Sequence, residues 1–306
     1  MINSERQQTG PTITGAPKSG LPGASRVREG SRVVIIGGGP GGYEAALTAR
    51  QLGARCTLVE DKGVGGSAVL TDVVPSKTLI ASAEWLHSVE SADQLGIVAT
   101  GEPWRASFSA INARIRALAA RQSEDIRRRL ANVGVTILDG RAKIATALGR
   151  DGTRMVRAHL TDGTVRDLEA EVVLIATGAA PRELPDAKPD GERILNWTQM
   201  YELTELPRHL VVVGSGVTGA EFAGAYNALG VPVTLVSSRD RVLPNEDPDG
   251  AEVIERVFAR RGMTILSRSR AQAVRRSTDG VVVTLDDGRH IEASHCLLAV
   301  LTGQVG

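Results

Sequence analysis

The chain has 306 residues, of which 42% are apolar and only 3% aromatic, and its formal net charge is +1. That length suits about two domains, each with enough apolar residues for a core. The near-zero charge gives no electrostatic pull toward nucleic acid or an anionic membrane, and so few rings argue against a base-stacking surface.

Residues 1–30 are polar, rich in Gly, Pro, Ser and Thr, and lack apolar periodicity, which predicts a disordered leader. A β-branched run, Val33-Val34-Ile35-Ile36, then opens a folded unit. It leads into Gly37, Gly39 and Gly42, an Ala-rich helical segment, and a second apolar run ending at Glu60. Strand, Gly-x-Gly-x-x-Gly, helix, strand and acid in this order form a dinucleotide-binding fingerprint. Gly37 permits the tight turn out of the strand, Gly39 lets a pyrophosphate approach the backbone, and Gly42 lets the helix pack on the sheet. The helix start turns its unpaired N–H groups toward the phosphates. Glu60 follows Gly42 at close to the spacing expected of the acid that binds a ribose hydroxyl.

Downstream, Pro75-Ser76-Lys77 leads into a helix with Leu79, Ala83 and Leu86 on one face. A stronger helical pattern follows in Ile111, Ile115, Leu118, Ile126 and Leu130, interspersed with Arg114, Arg121, Arg127, Arg128 and Arg129. The arginines read as a solvated face. Short runs at 135–138, 155–160, 164–168 and 172–175 predict a β-meander and a return strand, with turns at Asp151-Gly152 and Asp162-Gly163. The return strand ends in Ala176-Thr177-Gly178, small residues that let the backbone pass close to a ligand. Residues 31–181 form the expected first domain. A Pro-rich linker over 182–207 follows, with a helical stretch around Trp197 to Leu203.

The fingerprint then recurs in the second half of the chain at identical internal spacing. Gly214, Gly216, Gly219, Glu221 and Ala223 repeat Gly37, Gly39, Gly42, Glu44 and Ala46, which predicts a second dinucleotide unit over 208–300. A helix is expected from Pro248 to Arg261, then strands from Met263 to His290 with a turn at Asp287-Gly288. The fold class is therefore α/β, with two Rossmann-like domains and a helical hairpin and meander inserted in the first. Cys56 and Cys296 each sit in apolar runs and read as packing residues. His87, His159, His209, His290 and His295 are scattered, and no metal-ligand spacing is present. No apolar run nears the roughly 18 residues of a membrane span, and no signal-peptide core opens the chain, so the default location is cytoplasmic.

From residue 32 to about 300 the sequence resembles the two-dinucleotide flavoprotein disulfide reductases, the group of lipoamide dehydrogenase and glutathione reductase. The resemblance rests on both fingerprints, on Ala176-Thr177-Gly178 with Pro181-Arg182, and on Gly65-Gly66 with Pro75-Ser76-Lys77. That family carries GGTCLNxGCIPSK where this chain reads GGSAVLTDVVPSK, so Ala68 and Val73 stand at the two thiol positions. Neither side chain can exchange electrons or attack as a thiolate, which excludes dithiol chemistry there. The segment looks like that of the lipoamide-dehydrogenase-like NAD(P)H quinone reductases, which lack the thiols. The resemblance implies hydride transfer from NAD(P)H to FAD and on to a quinone-like acceptor.

By the same resemblance, Gly37, Gly39, Gly42, Glu60, Lys62, Gly66 and Gly178 would hold FAD, and Lys77 would lie against the flavin. Glu221 matches the acid beside the nicotinamide and Lys77, and Gly214, Gly216 and Gly219 would hold the nicotinamide dinucleotide. Ser237 occupies the position equivalent to Glu60, so no carboxylate repels a 2′-phosphate. Ser238, Arg239 and Arg241 follow it with donors suited to phosphate. These four residues favour NADPH over NADH. The family continues into an A-x-G-R-x-P-N segment, a Gly-Asp motif that completes the FAD site, and a dimerisation domain. Here Val300 is followed only by residues 301–306, an aberrant or truncated tail, which puts the family's homodimer in question. The alternative reading is a truncated, non-catalytic dinucleotide-binding fragment.

Overall fold

The computed structural model describes residues 27–98, 100–148, 153–300 and 302–304. Most of the expected leader, the Asp151-Gly152 turn, and residues 301, 305 and 306 lie outside these. In chain order the first half holds β1 (Arg32–Ile36), α1 (Pro40–Gln51), β2 (Arg55–Glu60), α2 (Gly66–Leu70), α3 (Val73–Glu90), α4 (Phe108–Asn132), β3 (Thr136–Leu148), β4 (Arg154–Leu160), β5 (Val165–Ala170), β6 (Val172–Ile175) and β7 (Ala179–Pro181). The second half holds β8 (Ile194–Asn196), β9 (Leu210–Val213), α5 (Val217–Ala228), β10 (Val233–Val236), α6 (Pro248–Arg260), β11 (Thr264–Leu266), β12 (Ala271–Arg276), β13 (Val281–Leu285), β14 (His290–Ala293), β15 (His295–Leu298) and β16 (Thr302–Gln304).

The first sheet has the order β5-β4-β3-β2-β1-β6. β1 is flanked in parallel by β2 and β6, and its four apolar residues Val33 to Ile36 are all buried, as a central parallel strand requires. The meander is an outgrowth of this sheet. β3 pairs in parallel with β2 through Asp139, and from Gly140 onward pairs antiparallel with β4. Gly140 sits at that change of partner, where a Cβ would lie 2.2 Å from the His159 carbonyl oxygen. Beyond it, β4 buries alternate residues, Val156 and Ala158, the period-2 pattern of a one-sided antiparallel strand.

The second sheet has the order β11-β10-β9-β15-β8, with β12-β13-β14 packed beside it. β8 lies within the expected linker over 182–207. Its buried Ile194 and Leu195 join the sheet edge beside β15, and the Asp190 carboxylate accepts from the N–H groups of Glu192, Arg193 and Ile194 to fix its entry.

The helical hairpin α3/α4 belongs by sequence to the first half, yet it packs against the second. Leu79, Ala83, Phe108 and Ile115 share one core with Ala220, Phe222, Ala223 and Tyr226 of α5 and with Leu210 and Leu235 of the second sheet. Phe108 meets Tyr226 edge-on with ring centroids 5.7 Å apart. Asn112 donates to the Leu203 carbonyl at 2.6 Å, and Arg116 to the Tyr201 carbonyl at 2.7 Å. A shared apolar core, with these two hydrogen bonds at its rim, holds the two halves in one register. On the outer side of α4, Arg114, Arg121, Arg128 and Arg129 are exposed, in keeping with a solvated face. No helix among the described residues is long and apolar enough to cross a membrane.

Candidate functional site

The two glycine turns are built alike. Gly37 has φ of 104° and Gly214 of 111°, the left-handed region where a side chain is strained. A Cβ on Gly37 would lie 2.2 Å from the Ala176 carbonyl oxygen, and one on Gly214 would lie 2.4 Å from that of Ala299. At the third glycine, a Cβ would sit 1.9 Å from the Gly37 oxygen at Gly42 and 1.8 Å from the Gly214 oxygen at Gly219. Protein packing alone therefore demands four of the six glycines.

The middle glycines differ. A Cβ on Gly39 would meet only the Gly66 Cα at 3.9 Å, and one on Gly216 would meet nothing within 4 Å. Packing does not explain why these positions lack a side chain, but the approach of a pyrophosphate does. Each glycine also stands at the N-cap of a 12-residue helix, α1 or α5, whose first N–H groups and dipole favour a phosphate. Both cradles thus fit a dinucleotide.

Around the first cradle, the Glu60 carboxylate accepts from the Gly38 N–H at 2.6 Å and from the Lys62 N–H at 2.7 Å. Each oxygen keeps a lone pair for a ribose hydroxyl. The Lys62 side chain is exposed. Gly65 and Gly66, both at positive φ, carry the next segment over the turn. The Gly65 N–H donates to the Gly38 carbonyl at 2.8 Å, and a Cβ on Gly66 would lie 2.7 Å from the Gly39 Cα. This contact sets the start of α2 against the first cradle; Ala68 follows within α2, and half-exposed Val73 opens α3. Gly178 is exposed beyond β6 at φ 72°, with open space where a Cβ would be. The two cysteines, Cys56 and Cys296, are buried and unpaired. Burial pushes the Cys56 thiol up to about 11, far from a reactive thiolate.

Lys77 and Glu221, far apart in sequence, are brought together as an ion pair between α3 and α5. The lysine side chain is 56% exposed, and such a pair contributes only about 0–1 kcal/mol to stability, so the contact places charge more than it holds the fold. Two further groups that the sequence pattern does not single out stand in the same field. Asp72, which opens α3, has its carboxyl held above the usual carboxylate range by burial and by Glu221, with Lys77 opposing. The buried Tyr201 hydroxyl finds no hydrogen-bond partner among the described residues, and burial, Asp72 and Glu221 all push its ionisation upward. Asp72 gives one signal, as the only acid between Gly63 and Lys77, whereas the approach of Tyr201 depends on the hairpin docking.

At the second cradle Ser237 departs from its expected role. It is fully buried, and its hydroxyl is shared with the Ser215 hydroxyl at 2.7 Å while accepting from the Arg239 N–H at 3.1 Å. That hydroxyl braces the turn from inside and cannot receive a phosphate. Ser238 and Arg239 are exposed, and Arg241 is half-buried. Among the histidines, His209 bonds Thr234 and the Glu292 carbonyl, and His295 lies against Ser294, which is structural use. No cluster of metal-binding side chains occurs among the described residues.

Comparison with known proteins places this arrangement. The family model described as pyridine nucleotide-disulphide oxidoreductase matches residues 31–304. The chain belongs to this family. It is 48% identical to an "NAD(P)H dehydrogenase (quinone)" of Mycobacterium tuberculosis over 88% of this chain and 55% of that protein. It is 31% identical to a dihydrolipoyl dehydrogenase of Zymomonas mobilis over 88% of this chain and 57% of that one. Among solved structures, LpdA from Mycobacterium tuberculosis superposes with a TM-score of 0.83 at 48% identity, over 89% of this chain and 59% of that one. The chain thus spans somewhat more than half the length of these relatives. The α/β fold is the family's, and the family's two cofactors, FAD and NAD(P)H, agree in number with the two cradles.

Proposed function

We propose that the chain is the dinucleotide-binding part of an FAD-dependent NAD(P)H oxidoreductase that passes electrons to a quinone-like acceptor without a redox disulfide. The observation that carries this reading is the Lys77–Glu221 pair, which joins the helix beside the first cradle to the helix that leaves the second. When bound, the flavin supplies the two-electron chemistry. The first cradle, with Gly37, Gly39, Gly42, Glu60, Lys62, Gly66 and Gly178, would seat FAD, and the second, with Gly214, Gly216 and Gly219, the nicotinamide dinucleotide. Lys77 holds a positive charge against the site, and Glu221 fixes where that charge sits. Ala68 and Val73 leave no sulfur at the mouth of the cradle, so the electrons leave to a diffusible acceptor. In the net reaction a quinone gains a hydride equivalent from the nicotinamide and a proton from water to give the hydroquinone. The 48% identity to a protein named for quinone reduction supports the choice of acceptor.

A second reading, a fragment that binds dinucleotides without turnover, is favoured by the outer edge of the first sheet. Among the described residues β6 has no partner on that side, and Leu174 and Ile175 near Gly178 are 37% and 63% exposed. The purified chain separates the two. Flavin absorbance together with NADPH consumption in the presence of a quinone supports the enzyme, whereas a colourless chain that binds NADPH supports the fragment. In the enzyme, Lys77→Ala is expected to slow flavin reduction by roughly 10-fold or more with both cofactors still bound. Unchanged reduction kinetics would remove Lys77 from its assigned place.

A further inference from the structure

We infer that Arg268, on the loop after β11, is a specificity-determining residue of the second cradle, joining Arg239 to hold the 2′-phosphate of an adenosine dinucleotide. The inference rests on the reading of that cradle as the nicotinamide dinucleotide site.

Three observations carry it. Among the described residues only two non-glycine residues have a left-handed backbone, Leu243 at φ 52° and Arg268 at φ 50°. Each is pinned to a neighbouring segment of the second cradle, Leu243 to the glycine turn and Arg268 to the loop after β10. The Leu243 N–H donates to the Ser215 carbonyl at 2.8 Å, and the Arg268 N–H to the Arg239 carbonyl at 2.9 Å. Every positive φ around the first cradle belongs to a glycine. In a residue with a Cβ this conformation crowds the following carbonyl and persists only where the surroundings impose it, a condition found often at ligand clamps.

The second observation is the state of the side chains. Arg239 and Arg268 are both exposed, and neither enters an ion pair among the described residues. Their backbone hydrogen bond sets them side by side at the carboxyl end of the β10–β11 pair, where ligands of open α/β sheets bind. The neighbouring Arg289 is instead committed, to Asp287 at 2.7 Å and to the Ser269 hydroxyl at 2.9 Å.

The third is charge. With Ser237 turned inward, the ligand-facing loop is Ser238-Arg239-Asp240-Arg241, in which two guanidinium groups and one carboxylate leave a single net positive charge. A phosphate monoester carries about −1.5 to −2 at neutral pH. Arg268 supplies the second positive charge that matches it.

Arg268→Gly is the discriminating variant, because glycine takes this backbone conformation without strain and the unfolding midpoint should hold or rise. Dissociation constants of the full chain are measured for NADPH, NADH, 2′,5′-ADP and 5′-AMP. The expected result is a loss of roughly 10-fold or more for NADPH and 2′,5′-ADP, with NADH and 5′-AMP changed by less than about twofold. Arg268→Lys should lie between the variant and the wild type. Equal losses for all four ligands, or no loss for the phosphorylated pair, overturn the role of Arg268. A wild-type chain that binds 2′,5′-ADP no better than 5′-AMP overturns it too, while leaving the cradle assignment intact. A wild-type chain that binds none of the four overturns the cradle assignment and this inference with it.

Discussion

Glu60 and Ser237 stand at equivalent places in the two cradles, at the end of the second strand, and they solve the same mechanical problem differently. Each steadies the residue after the first glycine. Glu60 does so with a carboxylate that accepts from the Gly38 N–H and remains partly exposed, and Ser237 with a buried hydroxyl shared with Ser215. The first solution leaves an anion at the rim, suited to ribose hydroxyls and hostile to a phosphate. The second leaves the rim to whatever follows in sequence, here two arginines and one aspartate. One backbone turn is thus built twice, and the bracing side chain decides which rim each copy presents.

The glycines give the sharpest test of that comparison. Gly42→Ala and Gly219→Ala each force a Cβ to well inside van der Waals contact with a carbonyl oxygen, so each is expected to cost about 3 kcal/mol or more and to lose the ligand of its own cradle. Gly39→Ala places its methyl group in ordinary contact with the Gly66 Cα, and Gly216→Ala in open space. These variants should unfold within about 0.5 kcal/mol of wild type while dinucleotide affinity falls roughly 10-fold or more. Paired unfolding curves and titrations check this. A large stability loss in the second pair, or full affinity with normal stability, would remove the argument that the middle glycines are kept clear for a ligand.

Much of the cradle is legible in the sequence because its glycines answer local steric demands, and such demands repeat with the sequence. The duplicated fingerprint reappears as two near-identical sets of close approaches, down to Ala176 and Ala299 just past the ends of β6 and β15. Lys77 and Glu221 are reached through resemblance alone, since nothing local to either reports a partner in the other half of the chain. What stays hidden depends on tertiary contact. The three residues of β8 are too few for a periodic signal, and their partner β15 lies far downstream. The inward turn of Ser237 needs Ser215 across the cradle. Arg268 lies in the run Ser267-Arg268-Ser269-Arg270, which reads as an ordinary polar loop until its backbone conformation is seen.

Ser237→Ala tests whether the second brace is mechanical. It removes a hydrogen bond between buried hydroxyls and leaves Ser215 only a long contact to the Arg241 carbonyl at 3.4 Å, so a loss of about 1–2 kcal/mol is expected. Because the hydroxyl does not reach the rim, the ratio of NADPH to NADH affinity should stay within about twofold. A shift in that ratio without a stability loss would return Ser237 to the phosphate site. Glu60→Gln should do the reverse, mainly weakening flavin binding.

The smallest effect belongs to Asp72, where the two halves meet. Its carboxyl titrates above the usual range in the folded chain, so the folded state holds the proton more tightly than the unfolded one. Stability from this group is therefore present at low pH and is lost as pH rises from the unfolded carboxylate value through the raised one. Asp72→Asn removes the titration. Its melting temperature relative to wild type should be higher at pH 7 than at pH 4, by no more than a few degrees because the side chain is only half-buried. Lys77→Ala deletes the one opposing charge and should widen that difference, since Asp72 would then face Glu221 with no cation between them. If the pH dependence of the Asp72→Asn variant matches wild type, Asp72 lies outside the field of the ion pair.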